Sequence, residues 1–184
     1  MRRRVLGLAL VLALLLGSSG CVCDVCESVC ATCTVEALFV SPSIDNVIET
    51  RLIKILDEAN ETILIAMYAF TDDQLGDAVV RAYTRGVSVR VILDGAQNVV
   101  QGGEYQKIQD AGIPIIVENV SGLMHHKFLV VDGLITVTGS YNWTEAANRE
   151  NFENIVVIVC REAAQAFTAE FNRIWEALSQ GQRP

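Results

Sequence analysis

His125-His126-Lys127-Phe128-Leu129-Val130-Val131-Asp132 is followed, six residues on, by Gly139-Ser140-Tyr141-Asn142. As a pattern this is H-x-K-x4-D-x6-G-S-x-N, and it holds the only two histidines of the 184-residue chain. Phe128 to Val131 reads as a buried strand, and Leu134 to Thr138 as its partner after an Asp132-Gly133 turn. Residues two apart on an extended strand share a face, so His125 and Lys127 point the same way and His126 points the other. An imidazole titrates near neutral pH and serves as nucleophile or acid and base. An ammonium beside it suits an anionic oxygen. Ser140 and Asn142 add a hydroxyl and an amide at the end of the second strand. No carboxylate cluster or His/Cys set with metal spacing accompanies this group, so the chemistry expected is free of metal and cofactor.

Outward from the motif, apolar strands alternate with amphipathic helices. Val35 to Val40 alternates as a strand. Asp45 is placed to cap a helix that runs to Ala59 with Val47, Ile48, Leu52, Ile55 and Leu56 on one side. Thr62 to Tyr68 is a buried strand. Thr71 or Asp72 caps a helix to Thr84, which Gly86 closes. Val87 to Leu93 is a strand, Gln97 to Gly103 a polar loop, Glu104 to Ala111 a helix and Pro114 to Glu118 a strand. After the motif hairpin come a turn or helix near Glu145 to Asn148, a strand from Asn154 to Val159 and a helix from Glu162 to Leu178. This order predicts an α/β layered domain with a central mixed, largely parallel β-sheet flanked by helices. No long internal repeat appears, so the motif occurs once.

The H-x-K-x4-D pattern with a trailing G-[GS]-x-N resembles the phospholipase D superfamily, over about Asn46 to Trp175. The resemblance is nearest to the small bacterial secreted endonucleases of that superfamily, which carry one motif per chain. It implies a phospholipase D-like fold and hydrolysis of phosphodiesters through a phosphohistidine, with His125 as nucleophile. Lys127, Ser140 and Asn142 would hold the non-bridging oxygens, and Glu153 would orient the imidazole. It implies a structural part for Asp132, whose parity opposes His125; Gly139 completes the motif. Cleavage by this route needs an acid besides the nucleophile, and His126 lies on the wrong face. A two-fold homodimer supplies the second His125. Tyr141 and Trp143 either stack on substrate or pack, and packing is the commoner use.

The N-terminus has its own grammar. Arg2-Arg3-Arg4, an apolar run from Val5 to Leu16 and small residues to Gly20 read as a signal peptide over residues 1–20. The run is short for a membrane span, which takes about 20 residues. Cys21 resembles a bacterial lipoprotein cleavage site, although Ser18 stands where that box usually has Leu, and would carry a lipid anchor. The expected location is outside the cytoplasm, membrane-anchored, facing the periplasm or the exterior. Residues 21–34 form a cysteine-rich tether before a catalytic domain at 35–184. There Cys23, Cys26, Cys30 and Cys33 suit disulfides in an oxidising compartment, or zinc. Cys160 reads as a small buried residue.

The formal charge is −8, and losing residues 1–20 removes three arginines and no acids, leaving −11. That argues against loose, charge-driven binding of nucleic acid but allows a local basic cleft. Arg51, Lys54, Arg81, Arg85, Arg90, Lys107 and Arg149 are its candidates, or else solvated faces. Three functions are weighed: an endonuclease on DNA or RNA first, a phospholipase D on membrane phospholipid second, and a surface-anchored binding protein with a silent site third.

Overall fold

Ile63-Leu64-Ile65-Ala66-Met67 contains no polar residue, and such a strand is stable only where both faces are covered. The structure, a computed structural model, describes residues 33–44, 46–97, 102–118 and 122–182. In it these five residues are buried and form most of β2 (Thr62–Met67). The other strands are β1 (Thr34–Val40), β3 (Ser88–Asp94), β4 (Ile115–Glu118), β5 (Lys127–Val131), β6 (Ile135–Gly139) and β7 (Glu153–Val159). The helices are α1 (Val47–Glu58), α2 (Asp73–Thr84), α3 (Tyr105–Asp110), α4 (Glu145–Arg149) and α5 (Arg161–Ser179). The signal peptide, Cys21, Cys23, Cys26, Cys30 and the Asp45 cap all fall outside the described residues. Among the described residues, no helix is long and apolar enough to cross a membrane.

Alternation along each strand divides the core into two layers. Ile63, Ile65, Met67, Leu129 and Val131 face Ile48, Leu52, Ile55 and Leu56 of α1 and Leu75, Ala78, Val79 and Ala82 of α2. Leu64, Ala66, Ile92, Phe128 and Val130 face Ala164, Phe171 and Ile174 of α5. Asp72 caps α2, accepting from Leu75 N at 3.0 Å, and Gly86 follows that helix at φ 94°. At the start of α1 the residue before the helix is Asn46, left-handed at φ 61° and without a side-chain cap bond.

The seven-stranded sheet has the order β1-β7-β6-β5-β2-β3-β4. It is mixed, as expected, but not largely parallel. Only β2–β3 and β3–β4 pair in parallel; the β1–β7, β7–β6, β6–β5 and β5–β2 pairings are antiparallel. The reason lies in the connections. The crossovers through α2 and α3 return each strand in its original direction. The tightly connected β5, β6 and β7 instead insert between β1 and β2, so every contact they make is antiparallel.

The cysteines differ from expectation as well. Cys33 and Cys160 form a disulfide across 127 residues of sequence. Cys160 is therefore not merely a small buried residue, and Cys33 does not pair within the tether. The bond closes the end of the β1–β7 ladder, where Thr34 stands opposite Val159. A link closing so long a loop restricts the unfolded chain. Replacing Cys160 with Ser should lower unfolding free energy by about 2–5 kcal/mol, read as a lower urea midpoint; an unchanged midpoint would show that the bond adds nothing.

Candidate active site

Strand register gathers residues that are far apart in sequence at one end of the sheet. Met67 stands opposite Lys127, Phe128 opposite Thr138, Gly139 opposite Ile155, and Glu153 opposite Val40. Lys127, Ser140 and Glu153 thus share that end with His125, which precedes β5.

His125 is exposed and Lys127 half-buried. Lys127 Nζ donates to the backbone oxygen of His125 at 3.1 Å. Both side chains meet Tyr68: the imidazole at 4.6 Å between ring centroids, the ammonium 4.8 Å from the ring centre. Burial pushes the Lys127 ammonium below its usual range, while the charge of Glu153 pulls it upward. His126 turns toward α5 instead, with Nε2 3.5 Å from the Glu170 carboxylate and its ring 5.3 Å from Phe128. Alternation alone separates the neighbouring imidazoles.

Gly139 allows β6 and β7 to approach. A Cβ there would collide with the carbonyl of Asn154 and stand 2.9 Å from Ile155 Cα. Ser140 Oγ donates a short hydrogen bond to the Glu153 carboxylate and accepts from Asn154 N at 3.1 Å. The other Glu153 oxygen accepts from Asn151 Nδ2 at 3.1 Å. In this chain, then, Ser140 and Glu153 bond each other. Asn142 Oδ1 is buried with no hydrogen-bond partner among the described residues.

Tyr141 and Trp143 are both buried, and Trp143 packs edge-on against Phe70 at 4.8 Å. These aromatics are packing, not a stacking surface. Burial, then the charges of Asp72, Glu49 and Glu153, push the Tyr141 phenol well above its usual range. Trp143 N donates to Ala69 O at 3.0 Å, and Trp143 O accepts from Thr71 N and Asp72 N. The 139–143 loop is thereby tied to the end of β2. A buried polar group lies beneath, one that periodicity did not reveal. Asn148 Nδ2 donates to Glu49 at 3.1 Å and to Asn46 at 2.9 Å. Burial and the neighbouring Asp72 carboxyl raise the Glu49 carboxyl above its ordinary range. Glu49 sits beside apolar Ile48 on α1, so spacing marks it only as a helix residue.

Asp132 lies at the far end of β5. Its carboxylate accepts from Asn60 N at 3.0 Å and from Glu61 N and Thr62 N, both at 2.8 Å. The candidate basic cleft does not form from the residues proposed for it. Arg51 pairs with Glu36, Lys54 with Glu58, and Arg81 and Arg85 with Asp57. Lys107 pairs with Asp73, Asp77 and Glu104, and Arg149 with Glu145. Arg90 bonds Asn172 and lies over Phe171 and Trp175.

Comparison with known proteins adds to this geometry. Residues 52–175 match a family model described as "Cardiolipin synthase, PLD-like domain". The chain is 37% identical over 127 residues to a protein named mitochondrial cardiolipin hydrolase from Xenopus tropicalis, covering 69% of this chain and 60% of that one. The protein of the same name from Mus musculus is 39% identical, covering 69% and 58%. The chain thus spans about three-fifths of these relatives' length. Among solved structures, Nuc from Salmonella typhimurium, described as a phospholipase D family member, superposes with a TM-score of 0.71 at 27% identity. That match covers 78% of this chain and 95% of Nuc. NucT from Helicobacter pylori shares the fold, with a TM-score of 0.72 at 21% identity over 78% and 96%.

Burial raises the Asp132 pKa, but the three backbone donors outweigh it and hold the carboxyl below the usual range. A depressed carboxyl contributes stability above its unfolded pKa of about 3.9, and that stability is lost as pH falls through the folded value. Asp132→Ala should cost about 1–3 kcal/mol at pH 7 by taking a charged acceptor away from three backbone donors. The gap from wild type should narrow below about pH 4, as urea unfolding across pH would show; a gap independent of pH would refute the ionised role.

Proposed function

The chain belongs to the phospholipase D-like family, and from that premise we propose that it hydrolyses phosphodiester bonds, with nucleic acid as the leading substrate. The observation that carries this is the pairing of an exposed imidazole with a half-buried ammonium at one sheet end, His125 beside Lys127. In the proposed reaction a His125 ring nitrogen attacks phosphorus, forming a P–N bond as the leaving P–O bond breaks. The partner subunit's His125 gives its proton to the departing oxygen. That imidazole then takes a proton from water, the hydroxide attacks phosphorus, and the P–N bond breaks to restore His125. Lys127 neutralises a non-bridging oxygen throughout, with Asn142 and Ser140 as neutral partners. Glu153, which holds Ser140 in the single chain, orients the imidazole in this scheme.

A homodimer is part of the proposal. His126 is committed to Glu170 on the other side of its strand, so one chain supplies one imidazole to the site. Exposed apolar side chains border the same sheet end: Phe39 at 66%, Ile44 at 54%, Leu123 at 62% and Phe152 at 84%. Such a rim suits a second copy. Export with a lipid on Cys21 also stays a proposal, and the Cys33–Cys160 disulfide is in keeping with an oxidising compartment.

Support for nucleic acid comes from the compact one-motif layout, which overlaps 95% of Nuc. A second reading, phospholipid, is favoured by the apolar rim and by the names of the curated relatives. The proposed bases are neutralised by acids or held by Asn172, so in either case phosphate recognition falls to Lys127 and His125 with Ser140 and Asn142. Residues 33–184 with EDTA, offered plasmid DNA, RNA and phospholipid vesicles separately, decide the substrate. Nicked DNA or cut RNA selects the first reading, and a released headgroup the second. Inertness toward all three would sink both and favour a silent binding protein.

His125→Ala should lower turnover by about 10³-fold or more while leaving the fold intact. Mixed 1:1 with wild type and allowed to exchange, it should leave roughly one quarter of the activity if each site needs two imidazoles, and roughly half if sites act alone.

A further inference from the structure

Tyr68 has no part in the scheme above, yet the motif converges on it. It follows the last residue of β2, and its backbone N donates to His126 O at 2.9 Å. That bond extends the β2–β5 ladder one step past Met67 opposite Lys127. The tyrosine is thereby set against His125, with ring planes inclined at 58°. The Lys127 ammonium lies over the same ring. The His125 imidazole has no hydrogen-bond partner among the described residues, and both Glu153 oxygens are engaged by Ser140 and Asn151. Within one chain, the side-chain contact that the His125 imidazole makes is with the Tyr68 ring.

We propose that Tyr68 is a positioning residue for the H-x-K pair: its ring sets the plane of the His125 imidazole and holds the Lys127 ammonium beside it, so both meet the phosphate in one geometry. An aromatic edge or face restricts a neighbouring ring, and its π face attracts a cation. The cation contact also favours the charged form of Lys127, which burial opposes. Orientation of this kind acts on the chemical step, where misplacing a group by about 1 Å costs on the order of 10²-fold. The phenol oxygen is not required, because both contacts are made by the ring.

The activity arm of the test rests on the hydrolytic reading; a second arm does not. The full chain, Tyr68→Phe and Tyr68→Leu are compared on bis(p-nitrophenyl) phosphate and by imidazole NMR. With only two histidines in the sequence, His125 and His126 give separable ring signals. Tyr68→Phe should keep kcat within about 2-fold, and Tyr68→Leu should lower it about 10–100-fold with little change in KM. In Tyr68→Leu the His125 ring signals should lose the shift caused by the aromatic ring, while His126 stays put. A leucine variant with wild-type kcat, or with unmoved His125 signals, would overturn the proposal. So would a phenylalanine variant as slow as leucine, or equal movement of both histidines, which would mean general disruption. If the wild type leaves every diester intact, the hydrolytic reading fails, and the NMR arm still decides the positioning role.

Discussion

Strand register is the constraint on which this site depends. Lys127, Ser140 and Glu153 meet because β5 pairs with β2 and β6, and β6 with β7, each at a single offset. A slip of one residue in β5 would turn Lys127 onto the α5 face and put Phe128 where the ammonium belongs. The motif contains the means of holding that offset. Asp132 binds three backbone donors at the start of β2, which pins β5 at its far end. Gly139 lets the backbone of β7 come close, where any side chain would meet Asn154. Some motif residues thus face the candidate site, while others keep the strands aligned so that they can.

Charge is handled locally. The chain is acidic, and most of its described bases lie against acids of their own surface. Lys127 is treated differently: a carbonyl oxygen and an aromatic ring hold it, with no carboxylate in direct contact among the described residues. A cation held by neutral partners keeps its charge for an incoming anion; one already paired would have to break that pair first. Beneath it the 139–143 loop is fastened to β2 by backbone bonds and rests beside the Glu49, Asp72 and Asn148 group. Burial, and then the neighbouring Asp72 carboxyl, raise the Glu49 carboxyl above its ordinary range, which eases its packing beside that loop.

Sequence by itself determined the α/β layering, most element positions within one or two residues, and the grouping of His125 with Lys127 away from His126. These are short-range consequences of strand alternation, caps and turns, which depend on neighbours a few residues apart. The tertiary structure decided what depends on distant neighbours. Insertion of β5, β6 and β7 between β1 and β2 made the sheet mostly antiparallel, a matter of which strand edges meet. Cys160 found Cys33 across the length of the domain. Tyr141 and Trp143 turned inward, and Glu49 was buried beside Asp72, because helix and loop close over them. Tyr68 reached His125 through a ladder bond between segments nearly sixty residues apart. Spacing along a chain records which side chains share a face; only the packed register records which faces share a site.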